Sequence, residues 1–155
     1  MLILTIEDPA DKKRVFTIER NLDELLQIGH ATDLKAALDS MEAVSGDHAF
    51  FSSIRNILED QVTDAESNLE KHVREHYGEA IDEAKDAGAT GNIGEARVKS
   101  FIASLGKAGR KFVSLEDRLA ALKKKLRKAE MVEDLLRQRM FVLQSISKAL
   151  GGQFS

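Results

Sequence analysis

The chain has 155 residues, of which 43% are apolar and only 5% aromatic, and its net charge is −3. The absence of cysteine excludes disulfides and thiolate zinc sites. No stretch approaches the ~18 apolar residues of a membrane-spanning helix, and the N-terminus lacks the basic start and longer apolar run of a signal peptide. We expect a cytoplasmic protein, built as one ordinary domain or as a small globular part with long helices attached.

Charge is divided unevenly along the chain. Residues 1–92 hold 9 Lys and Arg against 20 Asp and Glu, whereas residues 93–155 hold 14 against 6. The acidic part of one subunit can face the basic part of another, or the basic part can bind an anionic ligand. The two explanations are compatible, and the sequence leaves both open.

The first part of the chain, residues 1–46, is predicted to form a small α/β part that begins with a β-hairpin. Apolar and polar residues alternate at 2–7 and at 14–19, and the stretch between them, 8–13, is rich in turn-forming residues. Two strands alone are marginal in water. We therefore expect the hairpin to pack on helices or on a neighbouring subunit.

Two short helices are predicted to follow the hairpin. Asn21 can cap the first, with Glu24 as its capping-box partner, and Gly29 is expected to end it. The second is predicted at about 33–44, because apolar residues recur there on one face. The residues 45–47, Ser-Gly-Asp, are expected to close this helix and to cap the next.

The second part of the chain, residues 47–113, is predicted to contain a long helix and a glycine-rich joint. Apolar residues at spacings of three and four predict one continuous helix over 48–87. The three glycines in 88–94 predict a turn or joint. A short helix over 95–105 and a second glycine-containing break at 106–111 are expected next.

The third part, residues 114–155, is predicted to form one long helix that begins at the N-cap Ser114. Its apolar residues keep heptad spacing as far as Ala129, after which the spacing lengthens. Two long helices joined by a glycine-rich region indicate an antiparallel helical hairpin. The expected fold class is mainly α: a long helical hairpin or coiled coil with a small N-terminal β-hairpin and short helices.

Residues 72–76, HVREH, fit the pattern H-x-x-E-H, which in inverted zinc peptidases places two imidazoles and a general base on one helix face. The pattern is short and easily met by chance. Both histidines also continue the apolar stripe of the predicted helix, which favours an interface role over a metal site. Residues 88–94 lack the lysine of a nucleotide-binding loop, and no context suggests a nucleophile. We expect no metal, no cofactor and no enzymatic activity.

The segment 95–113 combines five basic residues with two phenylalanines. Cations bind backbone phosphates, unpaired bases stack on flat apolar faces, and glycines let backbone N–H groups approach a phosphate. Phe101 is expected in the core, and the alternative for the whole segment is a core surrounded by solvated lysines. The candidate nucleic-acid-binding residues are Arg97, Lys99, Lys107, Arg110, Lys111 and Phe112.

The residues ARVKSF on this short helix, followed by a gap and by a long helix that ends in MFVLQSISKAL, resemble the UvsY recombination mediators of tailed phages. The resemblance covers roughly 93–150. Arg97 matches the arginine of the family's Lys-Ala-Arg-Leu type motif, and Phe101 lies near its aromatic positions. Glu95 stands where the motif has its lysine, for which Lys99 can substitute.

The resemblance implies a recombination mediator that binds single-stranded DNA in the cytoplasm of a bacterial host. Such a protein helps to load a strand-exchange recombinase onto DNA that is coated by single-strand-binding protein. It also implies a ring-like homo-oligomer, a hexamer or heptamer, assembled through the C-terminal helix. The candidate oligomerisation residues are Leu136, Met140, Leu143, Ile146 and Leu150. The alternative is a structural or scaffolding coiled-coil protein without nucleic-acid binding.

Overall fold

The structure is a computed structural model, and it describes residues 1–26 and 33–152. The elements are strands β1 (Leu2–Glu7) and β2 (Val15–Arg20) and helices α1 (Leu22–Leu26), α2 (Leu34–Glu75), α3 (Tyr77–Asp86), α4 (Glu95–Ala103) and α5 (Gly106–Gly152). The fold is mainly helical with one two-stranded antiparallel sheet, which confirms the expected class. Within the described residues, no helix combines the length and the apolar character needed to cross a bilayer.

The chain divides into two compact units, and both long helices contribute to each. The first unit contains residues 1–58 and those from 125 onward, and the second unit contains Glu59–Lys124. The first unit therefore holds the sheet, α1, the first part of α2 and the last part of α5. The second unit holds the end of α2, the helices α3 and α4, and the first part of α5, including the basic segment.

The N-terminal hairpin packs on a helix of the first unit. Leu4 lies opposite Ile18 in the antiparallel register. Strand β1 buries alternate side chains, whereas β2 buries only Ile18. The guanidinium of Arg20 lies 5.2 Å from the ring centre of Phe50 on α2. The hairpin predicted from the alternating pattern is thus confirmed.

Helix α1 begins where the sequence predicts. The Oδ1 atom of Asn21 accepts a hydrogen bond from the backbone N–H of Asp23 at 3.0 Å, which is the contact expected of an N-cap residue. The helix is described as far as Leu26. The expected end at Gly29 lies outside the described residues.

Helix α2 runs without interruption through the place where the sequence predicts a boundary, so the prediction of two helices separated at 45–47 is wrong. Gly46 lies within α2, and the side chains of Val44 and Phe51 on either side of it are fully buried. Glycine costs about 1 kcal/mol in a helix interior. Burying an aromatic and a branched side chain contributes more than that, so the helix continues.

The long helix predicted over 48–87 is divided at His76. Helix α2 ends one residue before it and α3 begins one residue after it, because His76 has φ −108° and ψ 8°. The N–H of His76 still bonds to the carbonyl oxygen of His72, and the N–H of Ala80 to that of His76. Helical hydrogen bonding therefore continues through a local distortion.

The glycine-rich connection between α3 and α4 is confirmed. Gly88 and Gly91 have φ of 91° and 76°, a backbone region that favours glycine. The second predicted break is wrong, because α5 begins at Gly106 and residues 106–113 form its first two turns. Ser114 is consequently an interior residue of α5 and not its N-cap.

The second unit has its own small apolar core. The buried residues come from α3, α4 and α5. Partly buried residues of α2, α3 and α4 and of the segments between the helices pack around them. The buried members are Ala80, Val98, Ile102 and Phe112, and the surrounding ones are Leu69, Val73, Ile81, Ile93, Phe101 and Leu105. Phe101 is thus packed against the core as expected.

Within the second unit α2 and α5 run antiparallel, as predicted for the two long helices. The Nε2 atom of His72 lies 2.8 Å from the carbonyl oxygen of Ala108. The Nζ atom of Lys123 lies 3.5 Å from Oε1 of Glu66. Positions therefore rise along α5 as they fall along α2, and the second contact pairs a basic residue of α5 with an acidic residue of α2 within one chain.

Candidate nucleic-acid interface

Helices α4 and α5 meet at a tight corner, which positions the basic segment. The N–H of Leu105 bonds to the carbonyl of Ile102 at 3.0 Å, and the N–H of Gly109 to the carbonyl of Leu105 at 3.4 Å. A Cβ atom at Gly109 would lie 2.7 Å from the carbonyl carbon of Ala103. The absence of a side chain at this position therefore lets the first turn of α5 lie directly against the end of α4.

Three basic side chains project from the first two turns of α5. Lys107, Arg110 and Lys111 are all exposed. Their spacings of three and four residues make them neighbours on the helix surface. None of the three forms an ion pair with another residue in the part of the chain that the structure describes. Lys107, Arg110 and Lys111 together form the basic corner.

The two basic residues of α4 differ from each other. Arg97 is exposed and, among residues 1–26 and 33–152, has no carboxylate partner. The Nζ atom of Lys99 lies 3.2 Å from Oε1 of Glu95 on the same helix. An exposed pair of this kind contributes little to stability, but it partly cancels the charge that Lys99 offers to an anion. Lys99 is therefore the weaker of the two candidates.

The basic corner lies at the positive end of a helix. The first N–H groups of an α-helix have no acceptor within the helix, and the aligned peptide dipoles favour an anion there. The glycines at 106 and 109 thus belong to a helix start and not to a flexible loop. The end of α4 lies against the same turn and brings the opposite end of a helix dipole, so the preference for a phosphate at this corner rests on the three cationic side chains.

Phe112 does not belong to this surface, so its prediction as a nucleic-acid contact is wrong. Its side chain is 2% exposed and packs with Val98 and Ile102. Its ring also stacks at 6.5 Å on the imidazole of His72. The sequence contains a signal for this: Phe112 lies seven residues before Leu119 and so extends the heptad of α5 toward its start.

The candidate oligomerisation residues are of two kinds. Leu136 and Leu143 are fully buried in the core of the first unit, so their placement at a subunit surface is corrected. Met140, Ile146 and Leu150 are half-buried. The large apolar side chains that α5 does expose in this part are Met131, Phe141 and Val142.

Two arginines of the same segment bind within the first unit. The Nη2 atom of Arg137 lies 3.1 Å from Oε1 of Glu133, a buried residue that sequence reasoning did not single out. Arg139 donates from Nη1 to the carbonyl oxygen of Leu25. Burial lowers the pKa of the Arg139 guanidinium, and the nearby Asp47 carboxylate opposes that shift. Both arginines thus make these contacts within one chain.

The candidate interface that remains consists of the basic corner and, on α4, the exposed Arg97, and it contains no exposed aromatic ring among the residues predicted for it. Comparison of the sequence with known protein families and with curated proteins finds no match, and comparison with solved structures finds none.

Proposed function

We propose that this protein binds single-stranded DNA through the basic corner and acts as a recombination mediator. The observation that carries the DNA-binding part is the set of exposed, unpaired cations on the first two turns of α5. Charge of this kind binds a phosphate backbone irrespective of sequence. Because Phe112 is buried, we expect binding through phosphates with little contribution from base stacking.

The mediator role rests on the resemblance of residues 93–150 to the UvsY family. In this role the protein helps to load a strand-exchange recombinase onto DNA coated by single-strand-binding protein. Three or four cations per subunit bind a strand weakly. A ring-like oligomer that presents many copies of the basic corner would convert such contacts into tight binding by multivalency.

The test is the affinity for a fluorescent oligothymidine, measured by anisotropy over a range of salt concentrations. We expect Arg110→Ala with Lys111→Ala to weaken binding strongly at low salt. Each phosphate contact to a single strand contributes about 0.7 to the slope of log affinity against log salt. Loss of two contacts should therefore reduce the slope by about 1.4.

The matched control is Lys12→Ala with Lys13→Ala, which removes the same charge from the exposed hairpin turn. It should change affinity and slope little. Equal losses in both variants would mean that net charge and not this corner binds DNA. A wild-type chain that binds no single strand at low salt would contradict the proposal and favour the scaffolding alternative.

A further inference from the structure

Three side chains with metal-binding atoms converge at the junction of α2 and α3. His72 and His76 are one helical turn apart, with ring centres separated by 4.6 Å. Glu75 lies between them in sequence, and one ligand atom from each of the three residues lies within 4.8 Å of the others. All three belong to the second unit, and none of them is one of the three cations of the basic corner.

The hydrogen bond of His72 determines which of its nitrogens is free. Its Nε2 lies 2.8 Å from the carbonyl oxygen of Ala108. A carbonyl oxygen can only accept, so Nε2 carries the proton in that bond. In the neutral ring, Nδ1 then holds a lone pair. This atom is buried, and it has no hydrogen-bond partner among the described residues.

His76 presents a second buried nitrogen. Its Nδ1 likewise has no hydrogen-bond partner within the described part of the chain. The Oε2 atom of Glu79 lies 3.7 Å from this nitrogen, which is beyond hydrogen-bond distance. Buried polar atoms without partners are rare in folded proteins. One bound metal ion would give both of these imidazole nitrogens a partner.

We propose that His72, Glu75 and His76 bind a divalent transition-metal ion, with Zn²⁺ as the best fit. Imidazole nitrogen and carboxylate oxygen are ligands that zinc prefers, at about 2.0–2.2 Å. The bond from His72 to the Ala108 carbonyl is the outer contact that typically orients a metal-bound imidazole. Metal–ligand bonds of this length place neighbouring ligand atoms ~3.4 Å apart. The three ligand atoms now lie within 4.8 Å of one another, so the side chains must close by up to about 1.4 Å. Glu75, whose side chain is 53% exposed, has room to turn.

The charges around the cluster act in both directions. Glu75 and Glu79 favour a cation. Lys71 and Lys111 oppose it, because they line a surface cavity of about 260 Å³ together with His72 and Glu75. The Nζ atom of Lys71 is 4.0 Å from Oε1 of Glu75, and an exposed pair at this distance is weak. Glu75 is therefore available to the metal.

A metal here has a structural consequence. It joins the last turn of α2 to the residue that precedes α3. Through His72 and the Ala108 carbonyl it also holds the first turn of α5. We therefore expect metal binding to raise the melting temperature, because an ion that binds only the folded chain stabilises it. This role does not depend on DNA binding.

The experiment is a Zn²⁺ titration of the untagged, chelator-stripped full chain, in competition with a chromophoric chelator. One ion per chain is expected, and Co²⁺ should give the intense visible absorption of a four-coordinate site. His76→Ala should weaken binding by at least about 100-fold, since loss of an outer contact alone costs 10- to 100-fold. Glu75→Gln should weaken it by about 10-fold.

Two controls change the same residue types elsewhere. His48→Asn removes an imidazole from the first unit, and Glu83→Gln removes an exposed carboxylate from α3. Both should retain wild-type Zn²⁺ affinity. Failure of the wild type to take up Zn²⁺, or equal uptake by wild type and H76A, would overturn the proposal. If H76A does not fold, equal Zn²⁺ affinity of the wild type and the Glu75→Gln variant overturns it.

Discussion

Glu133 is a carboxylate that is only 3% exposed, although it lies on α5 beside the apolar residues Val132 and Leu136. Its Oε1 accepts hydrogen bonds from Arg55 at 2.8 Å and from Arg137 at 3.1 Å. Burial of a charge is unfavourable unless it is paired. These two guanidinium groups therefore explain how a carboxylate is held at the edge of the core of the first unit.

We expect Glu133→Gln to lower the free energy of unfolding by about 1–3 kcal/mol. The amide keeps the shape of the side chain but loses charge-assisted hydrogen bonds, whose contribution is of that size. Urea denaturation measures the change. Glu130→Gln, at an exposed position of the same helix, should alter stability by less than about 0.5 kcal/mol. Equal stability of the two variants would show that the buried pairing contributes nothing.

At the scale of the elements, glycine has opposite roles in the two long helices. Gly109 lies where α5 touches the end of α4, and an added Cβ would meet the Ala103 carbonyl group. Gly46 lies inside α2 with no heavy atom within 4 Å of an added Cβ. The first glycine is required by a close approach, whereas the second is only tolerated.

This difference predicts opposite effects of one substitution. Gly109→Ala should destabilise the protein by about 1–3 kcal/mol, as overpacking does. Gly46→Ala should stabilise it by roughly 0.5–1 kcal/mol, because alanine is the better helix former. Thermal unfolding of the two variants provides the comparison. A stabilising Gly109→Ala would mean that α4 and α5 are not in close contact at the corner.

At the scale of the whole molecule, assembly depends on what α5 leaves exposed. Leu136 and Leu143 are buried within the first unit and are not free to contact another subunit. Met131, Phe141 and Val142 remain 43–62% exposed on the same helix. Phe141 and Val142 are adjacent, whereas Met131 lies ten residues before Phe141, about 15 Å along the helix. Exposed apolar side chains that form a patch are typical of protein contacts, so Phe141 and Val142 are the better candidates for subunit contact in the proposed oligomer.

We expect Phe141→Glu with Val142→Glu to reduce the mass measured by light scattering while the helix content is retained. Charges at a subunit contact must be desolvated without a partner, which disfavours association. Gln138→Glu with Gln144→Glu adds the same charge at exposed polar positions of α5 and should leave the mass unchanged. A wild-type chain that is already monomeric contradicts the proposed oligomer.

Local patterns predicted the elements that short-range chemistry controls. The alternation at 2–7 and 14–19 predicted the hairpin, Asn21 predicted the start of α1, and the glycines of 88–94 predicted a connection whose backbone has positive φ. In each case the deciding interaction lies within a few residues. The sequence was sufficient there because neighbouring residues supply both the geometry and the hydrogen bonds.

The sequence by itself thus determined a mainly helical chain with an N-terminal hairpin, a glycine-rich connection and a long C-terminal helix. Tertiary packing decided the rest. Burial of Val44 and Phe51 carried α2 through Gly46, and the contact of Gly109 with α4 started α5 eight residues before Ser114. Tertiary packing also buried Phe112 and left the cations of the basic corner exposed, because side chains distant in sequence determine which face of a helix is covered.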